Sequence, residues 1–221
     1  NEYLSMMKIE IYNMLGDGDN VIKELEKLSN AFPYETRYLS MLAEVYNQSG
    51  REKDAYEKYL EIKELNPEDP YINTSLLEYY QKQGELDKAF EEFVLSIKNK
   101  NLDYNTKLQI YEYWFNDRKD NENTIREAEV AGKTFIEVHP DKELGYYVIG
   151  TVHYNNEDYA EAKRYYSEAV ARDSSSFMSW YQLIITDLEL NAVEDLYEHT
   201  VKAQRFYPEQ PLFYLFNGLA L

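Results

Sequence analysis

Three histidines, one evenly spaced set of glutamates and a surplus of tyrosine are the residues of this chain that could carry chemistry. His139, His153 and His199 stand far apart, and none has a second histidine at the i, i+4 spacing of an HExxH metal site. His153 falls at the same place in the chain's periodicity as Tyr46 and Tyr80, which makes it a packed core residue by expectation. There is no cysteine, so disulfides, thiolate metal sites and cysteine nucleophiles are excluded. The glycine patterns of nucleophile elbows, phosphate loops and dinucleotide loops are absent. The run from Gly16 to Asp19 opens like a calcium loop but lacks the later ligands and the closing glutamate, so it reads as a helix–helix turn. Asn47 and Asn73 each head a glycosylation sequon, a pattern short enough to arise by chance. Glu10, Glu44, Glu78 and Glu112, by contrast, recur every 34 residues. Carboxylates repeated in this way make a row of negative charge suited to attracting cations. The 23 tyrosines among 221 residues offer amphipathic rings that serve either as core or as binding anchors. No catalytic residue, cofactor or metal is expected, and the chain reads as a non-enzyme.

The elements that position these residues follow from composition and period. At 44% hydrophobic the chain can bury a core. Lys and Arg number 23 against 41 Asp and Glu, a net charge of −18. That field repels a phosphate backbone, so no nucleic-acid partner is expected, and it disfavours an anionic membrane surface. No apolar run is long enough to span a bilayer, so no membrane insertion is expected of this segment. Eight Gly and six Pro are too few for an all-β protein with many tight turns. The first residues read as a mature helix rather than a signal peptide, and the last, PLFYLFNGLAL, stop inside an apolar helical pattern. The chain therefore reads as a piece of a longer protein.

A period of 34 runs through the sequence. Pro33, Pro67 and Asn101 are spaced by it, as are Pro140, Ser174 and Pro208, while Asn101 and Pro140 are 39 apart. The same period links Tyr12, Tyr46, Tyr80 and Trp114, the glycines Gly16, Gly50 and Gly84, and the alanines Ala55 with Ala89 and Ala128 with Ala162. Residues 36–67 show the content of a unit. Leu39, Leu42, Ala43 and Tyr46 form one helical stripe. Gly50 suits a left-handed helix end. Ala55, Tyr59 and Ile62 form a second stripe, which Asn66-Pro67 ends. Two helices this short cannot stand alone, so each pair must stack on the next. The pattern predicts thirteen helices, paired antiparallel, and no strand of consequence.

The series Leu39-x2-Leu42-Ala43-x2-Tyr46…Ala55-x3-Tyr59…Pro67 resembles the signature of the tetratricopeptide repeat family. Tyr146-x2-Ile149-Gly150…Ala162-x3-Tyr166…Ser174 and Trp180-x2-Leu183…Ala203…Pro208 resemble it too. The resemblance implies an all-α fold, an α-solenoid of antiparallel helix pairs wound as a right-handed superhelix, in one array over residues 1–221. Its repeats fall at about 2–35, 36–69, 70–103, 104–142, 143–176 and 177–210, with the first helix of a seventh at 211–221. Five extra residues in the fourth repeat are placed near 116–123 as a polar inter-helix loop. Departures from the pattern are Lys8 for Leu, Val21 for Ala, Gly132 in a column of large aromatics, and Leu196 and Thr200 in the last full repeat.

In this family the first helix of each pair lines a concave groove. Glu10, Glu44, Glu78 and Glu112 take its ninth, ligand-facing position. Neighbours about 10 Å apart repel by only ~0.4 kcal/mol in water, and less in salt. The ladder is thus tolerable without a ligand, as a relic of duplication, or functional, as a groove that draws cations. Tyr71, Tyr147, Tyr154 and Tyr181 are further groove candidates, with core packing as the alternative. The family's two-carboxylate clamp needs Lys, Asn and Arg on successive first helices. Here Glu44 and Glu78 replace Asn, and Ser40 and Thr74 replace Lys, so that clamp is absent. The implied function is a non-catalytic scaffold binding a protein or peptide partner, basic or neutral rather than acidic. The open C-terminal end is a candidate for self-association. The alternatives are a substrate-recruiting or sensory region of a larger enzyme or signalling protein, and a carbohydrate-binding groove.

Overall fold

The computed structural model describes residues 1–116, 118 and 122–221, with Glu122 described in its backbone alone. Among the described residues there are thirteen helices and no strand. The chain divides into two compact units, residues 1–116 and 117–221. The first holds α1 (Glu2–Met14), α2 (Gly18–Ala31), α3 (Thr36–Gln48), α4 (Glu52–Leu65), α5 (Ile72–Lys82), α6 (Leu86–Lys98) and α7 (Tyr104–Phe115). The second holds α8 (Glu122–Val138), α9 (Leu144–Asn155), α10 (Tyr159–Arg172), α11 (Phe177–Glu189), α12 (Val193–Phe206) and α13 (Pro211–Leu219). Within each unit every helix packs on the next in sequence. The short connections make consecutive helices antiparallel, as an all-α repeat requires.

Local chemistry sets the turns. Asp17, Asp103, Asp158 and Ser176 each accept the backbone N–H three residues on, capping α2, α7, α10 and α11. The Gly16–Asp19 run is accordingly a helix–helix turn. Gly16, Gly50 and Gly84 take positive φ of 68°, 71° and 74° after α1, α3 and α5. In the second unit Glu157 (60°) and Asn191 (50°) hold the same conformation after α9 and α11, where glycine would meet no Cβ penalty.

The stripes are buried against one another. In the first unit Ile9, Leu25, Leu42, Ala43 and Ala55 form a core with Tyr38 and Tyr46. In the second, Ala162, Tyr166, Trp180, Leu183, Ala203 and Phe213 form another. Ala55, Ala89 and Ala162 are fully buried, as their spacing predicts. Ala128 is not: it is half-buried, and Ala131 and Phe135 in α8 fill the positions that Ala89 and Phe93 fill in α6. The register of α8 is therefore three residues later than the period suggests. Gly132 does not stand for a missing aromatic but lies against Ile149 and Val148. The loop expected at 116–123 lies mostly outside the described residues. His153 is likewise a correction. It is half-exposed, stacked on Tyr165, with Nδ1 3.1 Å from Asp158. A ring with a polar edge at the last turn of a helix gains more from that carboxylate than from burial.

Signature residues also stitch successive repeats. Tyr146 Oη donates to the Pro140 carbonyl, Trp180 Nε1 to that of Ser174 and Tyr214 Oη to that of Pro208, each six residues back. These bonds satisfy carbonyls of the turns, and that of Pro140 accepts from Arg172 Nε at 2.7 Å as well. In the first unit Asn99 and Asn101 do related work, donating to the carbonyls of Asp69 and Glu68.

Helices α8 and α9 approach backbone to backbone at Gly145. A Cβ on Gly145 would stand 2.8 Å from both the Gly132 carbonyl oxygen and the Ile136 backbone nitrogen. Backbone cannot yield as a side-chain tip can. Alanine gains about 1 kcal/mol over glycine within a helix, and overpacking costs about 1–3 kcal/mol, at its upper end against rigid backbone. Gly145→Ala should therefore lower stability by a net ~1–2 kcal/mol in chemical denaturation. An unchanged or raised midpoint would mean that these helices are further apart.

Candidate functional site

A cleft of about 400 Å³ opens between α3, α4 and α5. The face of α3 supplies Ser40, Glu44, Asn47 and Gln48, spaced as one side of a helix. Tyr59 and Ile62 come from α4, and Ile72 and Ser75 from α5. Asp69 accepts the backbone N–H groups of Tyr71 (2.9 Å) and Ile72 (3.1 Å), which starts α5. That cap leaves Tyr71 at the rim, 62% exposed. Asn47 Nδ2 donates to the Tyr59 oxygen at 2.5 Å, and Gln48 Nε2 to Glu44 Oε1 at 3.2 Å. A smaller adjoining cavity shares Asn47, Tyr59 and Ser75 and adds Glu78, together with Lys82, Glu52 and Tyr79. Tyr59 thus stands between two ladder carboxylates.

The electrostatics follow from that placement. Glu44 and Asp69 line the cleft and no Lys, Arg or His does. Burial pushes the Tyr59 phenol above its ordinary value, and the Glu78 and Glu44 charges push the same way, against relief from hydrogen bonds with Asn47 and Ser75. Among the described residues Glu10, Glu44, Glu78 and Glu112 have no ion-pair partner. Other glutamates do: Glu24 pairs with Lys27, Glu61 with Lys58 and Glu92 with Lys63.

The sequence-predicted residues separate by unit. All four glutamates lie exposed at equivalent positions of α1, α3, α5 and α7, in the first unit. Glu44 and Tyr71 line the cleft and Glu78 adjoins it, while Glu10 and Glu112 line neither cavity. Tyr147, Tyr154 and Tyr181 lie in the second unit, half-buried against its core. Tyr147 borders a cavity of about 180 Å³ with Glu143 and Met178, and burial raises its phenol. Tyr154 is edge-on to Tyr159, and Tyr181 stacks on Phe177. These three rings do core work on one side. Tyr59, Asn47 and Asp69 were not among the sequence candidates. The available signal is Tyr59 itself, a hydroxyl in a column that Phe93 and Phe135 fill without one.

The densest group of charges lies elsewhere, across α10, α11 and α12. Asp187, 0% exposed, sits 2.6 Å from His199 Nδ1 and 2.7 Å from Lys163 Nζ, and Lys163 also reaches Asp195 at 2.5 Å. The hydrogen bonds that Lys163 donates to Asp187 and Asp195 hold it charged against burial, and the same donation lowers Asp195. This network, buried at Asp187 and open to solvent at Asp195, ties three helices together. Among the described residues no group of three or more acidic or histidine side chains could hold a metal ion. None of their helices is long and apolar enough to cross a membrane. Asn73 is buried, which closes its sequon.

Residues 145–176 match the family model of the tetratricopeptide repeat. They span α9 and α10, the pair stitched by Tyr146 and packed through Gly150. That helix pair is thus a tetratricopeptide repeat, and the described residues around it form an all-α helical repeat. No curated protein matches the sequence. Among solved structures the chain is similar to YrrB, described as a tetratricopeptide-repeat protein with an unusual peptide-binding site. The identity is 12% and the TM-score 0.50, covering 86% of this chain and 95% of that one. It is also similar to MamA, at 19% identity and TM-score 0.43, covering 75% and 94%. A third is the TPR2AB domain of yeast Sti1 in a complex with pHSP90, at 14% identity and TM-score 0.41, covering 99% and 98%.

The site electrostatics can be measured at Tyr59. Its ring, followed by NMR through a pH titration, should ionise above the ordinary tyrosine value of 10.0. Glu44→Gln with Glu78→Gln should move that ionisation downward, since two neighbouring negative charges are removed. An unmoved titration would mean that the two carboxylates do not act on the cleft.

Proposed function

We propose that this chain is a non-catalytic scaffold that binds other proteins through the exposed faces of its first helices, centred on the α3–α4–α5 cleft. The observation that carries this reading is the cleft itself: part apolar, lined by carboxylates, free of basic residues and beside ladder glutamates without ion-pair partners. The family supports it in general terms, because repeats of this kind present one helix face for recognition. Basic or neutral extended segments are preferred over acidic ones, which would meet like charge. Tyr71 is the exposed aromatic anchor at the rim, and Tyr147, Tyr154 and Tyr181 are secondary anchors through their open edges. Tyrosine rings also stack on sugars, and a glycan array beside a peptide array separates that reading from this one. The proposed array of repeats over 2–35, 36–69, 70–103, 104–142, 143–176 and 177–210, with 211–221 opening a seventh, supplies several such faces.

Exposed ion pairs contribute about 0–1 kcal/mol each, so affinity must come from several acting together. A partner recovered by pull-down should bind the triple variant Glu44→Gln, Glu78→Gln, Glu112→Gln about tenfold more weakly. Added salt should weaken the parent more than the variant. Equal affinity and equal salt slope would make the ladder a relic of duplication.

We also propose self-association through α13. Phe213 and Phe216 turn into the core, while Tyr214, Leu215 and Leu219 face outward, Leu215 at 61% exposure. Such a surface favours burial against a second copy. Sedimentation should show a concentration-dependent dimer that Leu215→Lys abolishes. A strict monomer at high concentration contradicts it.

A further inference from the structure

We infer that the α3–α4–α5 cleft is a receptor for one cationic side chain, a lysine or arginine of the bound segment, with the Tyr59 ring beneath it and Glu44 and Glu78 as counter-charges. This deepens the groove reading above and rests on it.

Three observations converge. The first is shape: a volume of about 400 Å³ suits one long side chain with its adjoining backbone, and is small for a folded element. The second is the order of surfaces. Ile62, Ile72 and the Tyr59 ring offer apolar contact to a methylene stem, while Glu44 offers a charge to its head. An aromatic ring and a carboxylate together suit an ammonium or guanidinium group, which gains from both the ring face and the ion pair. Asn47 donates to the Tyr59 oxygen, so the ring is held in place before a ligand arrives.

The third is unspent charge. The chain's own cations go to other glutamates: Lys58 to Glu61, Lys63 to Glu92, and Lys82 toward Glu52. Glu44 has only the neutral amide of Gln48 beside it, and Glu78 has no ion pair among the described residues. A neutral apolar side chain would leave these carboxylates without a partner, and an acidic one would be repelled by them. A long cationic side chain matches the apolar, aromatic and carboxylate walls together, and Lys82, the lysine beside Glu78 in the adjoining cavity, leans toward Glu52 instead.

The test uses isotope-labelled chain and three small probes, the N-acetyl methylamides of lysine, arginine and norleucine. Millimolar binding is enough for chemical-shift titration. Lysine, arginine or both should move the Asn47, Tyr59 and Ser75 resonances along saturable curves, and norleucine should not. Glu44→Gln with Glu78→Gln should weaken the cationic probes about fivefold to tenfold. The melting temperature, recorded alongside, should stay at the parent value because both side chains are exposed. Whether lysine or arginine binds better assigns the side chain. Three results overturn the inference: no saturable shift from either cation, norleucine as effective as lysine, or a double variant that titrates like the parent. Failure of the groove reading looks different. There, a pulled-down partner moves resonances away from α3 and α5 altogether. A partner that moves those helices while the cationic probes do not leaves the groove reading standing and removes the cation receptor.

Discussion

Helices of 9 to 17 residues are marginal in water, so each one here persists only because its neighbour covers its apolar stripe. Coverage depends on close approach, and close approach depends on small residues at the contact. Ala55, Ala89, Ala131, Ala162 and Ala203 are all fully buried. At α8 and α9 even alanine is too large, and Gly132, Gly145 and Gly150 take over. The aromatic residues then fill the space beside each contact, and their polar ends stitch the turns. Tyr146, Trp180 and Tyr214 each satisfy a carbonyl six residues back, and the Trp180 ring is buried in the core as well. Packing and turn geometry are therefore one interaction, repeated.

That constraint decides where function can sit. The buried stripe is committed to stacking, and the opposite face of each first helix is not. Glu10, Glu44, Glu78 and Glu112 occupy that free face at one equivalent position. Their mutual repulsion is a few tenths of a kcal/mol per neighbour at most, far below the stacking energy that fixes the helices. The fold therefore tolerates an unneutralised row of charge. A surface that costs the fold so little is available for recognition. Weak individual contacts on it become useful only when several repeats engage one partner.

The helix pairs were legible in the sequence because stacking imposes both a period and a type of residue. Ala55, Ala89 and the glycines after α1, α3 and α5 could be placed from spacing alone. The register of α8 could not, because a shifted helix keeps its composition: Ala128 and Ala131 both look like the small residue the contact needs. His153 illustrates a second limit. Its column is apolar elsewhere, but Asp158 stands within hydrogen-bond reach only after the turn folds. The site was half legible. Repetition marked Glu44 and Glu78, and both are exposed. Tyr59, Asn47 and Asp69 became visible only as neighbours, because a cleft between three helices has no signature along one. Tyr147, Tyr154 and Tyr181 show the converse, since a ring at helical spacing serves the core first.

The central claim is that this acidic cleft is where the chain recognises its partner. Selection of random peptides on the immobilised chain tests it most directly. Enrichment is expected of sequences carrying lysine or arginine, whose binding is lost on the Glu44→Gln, Glu78→Gln chain and retained on a chain altered at Glu198, which lines neither cavity. Enrichment of acidic peptides, or of peptides that bind both chains equally, would contradict it.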